Sequence, residues 1–138
     1  MTDYTQPTFG EQQSKSPDWY AEHPKRLYWG QLTNADATLY AGLTAQTYPP
    51  QPKVRIDTIW LCNTDTVART VTLEIRSGAS AASTRILSAY SIAGSTAVLM
   101  TELGIIMEAG ELISGLADTT AKVNVRISGA ELLTGQTA

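Results

Sequence analysis

The chain has one cysteine, Cys62, and one histidine, His23, in 138 residues. A single cysteine excludes an intrachain disulfide and suits folding in a reducing cytoplasm. A single histidine excludes a metal site built from several imidazoles. No Gly-x-Ser-x-Gly occurs, and Ser77-Gly78-Ala79-Ser80 lacks the lysine and helix of a phosphate-binding loop. The formal net charge is −3, and the longest basic run is Lys25-Arg26, which argues against nucleic acid or anionic lipid as a partner. No apolar run approaches the roughly 20 residues of a membrane helix. The opening Met1-Thr2-Asp3-Tyr4 has no basic region followed by an apolar one, so no secretion signal is expected. Helical stripes and internal repeats are missing too. These absences leave a non-enzymatic β-protein with no cofactor and no metal as the expectation.

What the chain does have is an uneven spread of rings. Tyr4, Phe9, Trp19, Tyr20, Tyr28 and Trp29 fall in the first thirty residues, six of ten aromatics. They follow neither helical nor strand spacing. Pro7, Pro17 and Pro24 interrupt them, and Glu11 to Ser16 is wholly polar. Residues 1–34 therefore read as an extended arm that buries its rings on a partner, with those six as the partner-binding residues. A single helical turn over Asp18–Glu22, capped by Asp18, is expected inside it.

Residues 35–133 read as one β-domain, and 134–138 as a polar tail. Strands are expected at Ala37–Tyr40, Val54–Cys62, Arg69–Arg76, Thr84–Ile92, Ala97–Met100, Gly104–Met107, Leu112–Leu116 and from Lys122 to Leu133, where Gly129 breaks or bulges the strand. Arg69–Arg76 alternates cleanly, with Val71, Leu73 and Ile75 inward. The phase slips at Thr58, which predicts a bulge or a strand covered on both faces. Val54–Cys62 and Arg69–Arg76 are expected to pair as an antiparallel hairpin. Eight or nine short antiparallel strands separated by frequent turns predict an all-β domain, a two-sheet sandwich or a jelly roll.

Few residues in the domain suggest chemistry. Glu108, Glu111 and Asp118 read as turn formers, with calcium held by loop oxygens as the alternative. Asp57 is expected to pair with Arg55, or across a strand with Arg69 or Arg76. Cys62 and Trp60 read as core residues. A sugar platform would need two or three exposed rings, and Tyr48, Tyr90 and Tyr40 are the candidates. His23 reads as a surface or partner contact.

The stretch from Leu39-Tyr40 through Lys53–Thr64, Thr70–Ile75, Leu103-Gly104-Ile105 and Glu108–Gly115 to Val123–Glu131 resembles the small β-sandwich structural proteins of tailed bacteriophage particles. The resemblance covers the β-domain and not the arm. It implies a virion protein made in the host cytoplasm, present in several copies and often trimeric, whose partners are capsid or tail subunits. The long arm, suited to clamping neighbouring subunits, favours a capsid decoration or cement protein within that class. A neck, tail or baseplate accessory protein and a carbohydrate-binding surface module are the alternatives.

Overall fold

The computed structural model describes residues 20–47, 50–77 and 83–134. Among these, nine strands form two antiparallel sheets and no helix occurs. The strands are β1 (Tyr20–Gln31), β2 (Ala37–Tyr40), β3 (Lys53–Asn63), β4 (Arg69–Arg76), β5 (Ser83–Ile92), β6 (Ala97–Met100), β7 (Ile105–Met107), β8 (Leu112–Ala117) and β9 (Val123–Thr134). The first sheet runs β1-β9-β3-β6, with β7 also on β3; the second runs β2-β8-β4-β5. The architecture is the expected β-sandwich.

Alternation builds the core. Ile56, Ile59, Leu61, Val125 and Ile127 of the first sheet face Val71, Leu73, Ile113 and Ala117 of the second, and all are buried. The phase slip at Thr58 is a bulge: Ile56 pairs with Gly129 and Thr58 with Ser128, leaving Asp57 as the extra residue. Its carbonyl accepts the Leu103 N–H at 3.0 Å. On the other flank of β9, β1 bulges at Leu27 one rung further along, between Arg26 and Tyr28. Strand β9 itself runs unbroken past Gly129. The glycine is needed because a Cβ there would meet the Arg55 carbonyl oxygen at 1.8 Å.

Three expectations are corrected. First, β3 and β4 do not pair. β9 takes one edge of β3 while β6 and β7 share the other, so β4 crosses to the second sheet. A hairpin would have set the two apolar faces side by side, whereas the crossing sets them face to face. Asn63 holds this corner, 1% exposed. Its amide donates to the carbonyls of Val67, Ile92 and Ala93 at 2.9, 3.0 and 3.2 Å, and its Oδ1 accepts the Asp65 N–H. Asn63→Ala strands these buried groups and should cost about 3 kcal/mol in urea unfolding.

Second, residues 20–34 belong to the sandwich. Strand β1 pairs with β9 from Tyr20 opposite Thr134 to Gln31 opposite Asn124, and Leu27 and Leu32 are buried in the core. Pro24 is tolerated because β1 is an edge strand. Third, Tyr20, Ala21 and Glu22 are strand, not helix; Asp18 and Trp19 of the expected turn lie outside the described residues.

Candidate docking surface

Register places four outward side chains on one line across the first sheet. Trp29 of β1 pairs with Arg126 of β9, Arg126 with Trp60 of β3, and Trp60 with Leu99 of β6. Trp29 is 65% exposed, Trp60 47% and Leu99 58%. Neighbouring strands lie about 4.8 Å apart, so the strands that carry the two indoles lie about 10 Å apart with Arg126 on the strand between them. The Arg126 guanidinium lies 6.0 Å from the Trp29 ring centroid, and Arg26 lies 4.8 Å from it. A depression of about 290 Å³ opens here, lined by Trp29, Trp60, Cys62, Asn124, Val125 and Arg126. Cys62 is half-buried on this outer face rather than in the core. Toward the other end of the sheet the apolar surface gives way to charge: Arg55 binds Glu22 and Asp57, at 3.1 and 2.7 Å. Of the three partners considered for Asp57, the structure selects Arg55.

The six ring residues expected to bind a partner separate. Tyr4, Phe9 and Trp19 lie outside the described residues. Tyr20 opens β1, and its side chain is also outside them. Tyr28 turns inward, packs half-buried against the core and donates its hydroxyl to the Gln31 carbonyl at 3.4 Å. Gly30 leaves the space for that ring, since a Cβ there would meet the Tyr28 hydroxyl at 2.6 Å. Of the two whose side chains are described, Trp29 stands outward on this face. Trp60, Arg26, Arg126 and Leu99 join it although none was singled out from the sequence as a partner residue. The signal for Trp60 was present: once a bulge falls at Asp57, Ile59 and Leu61 face in and Trp60 must face out.

Tyr40 and Tyr90 do not come together. Tyr40 on β2 and Tyr90 on β5 occupy opposite edges of the second sheet, and Tyr48 lies outside the described residues. The Tyr40 hydroxyl donates to Glu131 Oε2 at 2.6 Å, and Lys25 reaches the same oxygen at 2.9 Å. This contact ties the two sheets together. Burial, then the Glu131 carboxylate, pushes the Tyr40 hydroxyl well above its usual range. Burial pushes the Glu131 carboxyl up, but Tyr40 and Lys25 together outweigh it and hold it below the ordinary value of 4.5. His23 sits exposed in β1 opposite Glu131. Glu108 pairs with Lys53, and Glu111 accepts the Glu108 N–H, so this turn is organised as a turn.

On the second sheet, Glu74 is buried between Arg76 and Arg85, at 2.7 and 2.9 Å. Hydrogen bonding from Arg76 leads in lowering its pKa, against burial. Both Glu74 and Glu131 are therefore ionised more easily folded than unfolded. Their stabilisation is present above 4.5 and lost as pH falls through their lowered folded values. The Glu74→Gln, Glu131→Gln variant should be less stable at neutral pH and show a flatter loss of stability below pH 4.5, read by urea unfolding across that range.

No protein-family profile matches the chain, and no curated protein matches it. Two solved structures, each of a pentameric capsid protein isolated from metagenomic phage sequences, are similar over 95% of this chain at 10% identity. Their TM-scores are 0.37 and 0.35, over 75% and 79% of their own lengths. Scores of this size do not establish a shared fold, and the functional reading rests on the residues themselves.

Proposed function

We propose that the chain is a non-enzymatic structural component of a phage virion, which docks on neighbouring subunits through exposed rings and its N-terminal segment. The observation that carries this is the uncovered line Trp29-Arg126-Trp60-Leu99. Two indoles on the surface of a small domain with an otherwise complete core are the kind of residue that dominates interfaces, and contiguous apolar patches mark contact sites. The rings of residues 1–19, Tyr4, Phe9 and Trp19, add a second contact on the same reading. Within the particle we favour capsid decoration, in several copies, because a long segment ahead of β1 suits bridging adjacent subunits.

The test is gradient purification of the particles that carry the chain, followed by quantitative mass spectrometry. The chain should remain with the particles. A copy number that scales with the shell supports decoration, while one ring's worth places it at the neck or tail. A chain that washes off at mild salt and leaves infectious particles overturns the virion reading.

A further inference from the structure

Four of the six arginines, Arg55, Arg69, Arg76 and Arg85, contact a carboxylate. Among the described residues Arg26 and Arg126 have none, and both lie over the same ring, Trp29. In a chain of net charge −3 this is a local excess of cation on an apolar face. Pairing the face with its own copy would set four such arginines together, which Coulomb repulsion opposes. The face calls for a carboxylate next to an aromatic ring.

Residues 1–19 supply that chemistry. They carry Asp3, Glu11 and Asp18 against Lys15, and Asp18 is followed directly by Trp19. The chain's own Asp18 and Trp19 cannot reach the site. Tyr20 is fixed opposite Thr134, and Trp29 lies nine residues along β1. That is about 30 Å at roughly 3.3 Å per residue, while Asp18 is within about 7 Å of Tyr20.

We infer that the Asp18-Trp19 pair of a second copy docks in the Trp29–Trp60 depression, its carboxylate on Arg126 and Arg26 and its indole between the two exposed rings. This rests on the reading that the N-terminal segment docks on neighbouring subunits, and it names the receiving face. Arginine meets a carboxylate with two parallel hydrogen bonds, which fixes direction as well as adding affinity. Donor and acceptor surfaces differ, so the contact is heterologous and builds a ring, or a filament if the rotation does not close.

Cys62, the single cysteine, lines the depression and reports on its occupant. It sits on the rung of Gln31 and Asn124, eleven residues from the start of β1, about 36 Å. A cysteine at position 16 lies within about 13 Å of Tyr20, so it reaches Cys62 only in another copy. Full-length Ser16→Cys protein, oxidised in air, should form intermolecular disulfides that peptide mapping assigns to positions 16 and 62. Arg126→Glu in that background should reduce this product at least tenfold, with the circular dichroism spectrum unchanged, and adding Asp18→Arg should restore it. Absence of the 16–62 link, or links only of 16 to 16 or 62 to 62, overturns the inference. So does a 16–62 link indifferent to Arg126→Glu. None of these results touches whether the wild-type chain stays with particles, so the two claims fail separately.

Discussion

Replacing Gly129 with alanine should remove a large part of the domain's stability. Gly129 is buried in β9, and β1 and β3 flank it with hydrogen-bonded ladders. The new methyl carbon would sit 1.8 Å from the Arg55 carbonyl oxygen. That oxygen is backbone in the central strand of the sheet, so relief requires β3 and β9 to separate where both neighbours of β9 already bulge. The expected cost is about 4 kcal/mol or more, which places it among the largest single-residue effects. A domain of this kind has only about 5–15 kcal/mol in total. Gly104→Ala is the control. Its Cβ meets nothing within 4 Å, and only its φ of +60° is unfavourable, so the loss should be about 1–2 kcal/mol. Urea unfolding of both variants measures the difference.

The second large effect is on assembly rather than folding. Trp29→Ala with Trp60→Ala should leave the unfolding free energy within about 1 kcal/mol, the loss being mainly the contact of Trp29 with Arg26 and Arg126. Particle occupancy should collapse. Burying an exposed indole contributes roughly 2 kcal/mol, so removing both weakens docking by about 4 kcal/mol, close to a thousandfold in Kd. Mass spectrometry of gradient-purified particles reads the occupancy, and the unfolding curve shows that the sandwich is intact. Tyr28→Phe is a useful contrast, because Tyr28 faces the core and its loss of one 3.4 Å hydrogen bond should leave occupancy unchanged.

Much of the sandwich was legible because alternation is a local property. Val71, Leu73 and Ile75 announced the inner face of β4, and the slip at Thr58 announced a bulge. Strand partners are not local, and this is why β3 and β4 read as a hairpin when each joins a different sheet. The first strand was hidden for a physical reason. Pro24 and the bulge at Leu27 break the alternation of β1, so a strand that buries Leu27 and Leu32 read as an arm without periodicity. The docking face was half legible. Trp29 stood out as a ring without a core, but Trp60 was masked by its neighbours Ile59 and Leu61. Arg126 acquires meaning only when β9 is seen to lie between the two indoles.

Docking through the exposed rings requires the outer face of the first sheet to be covered in the assembled particle. Hydroxyl-radical footprinting tests it most directly, by comparing oxidation of Trp29 and Trp60 in the free chain and in purified particles. Strong oxidation of both indoles in the free chain, diluted until copies no longer pair, and several-fold protection of both on the particle is the predicted result. Equal oxidation in the two states would contradict it, since rings that remain open to solvent in the particle cannot be what holds the chain there.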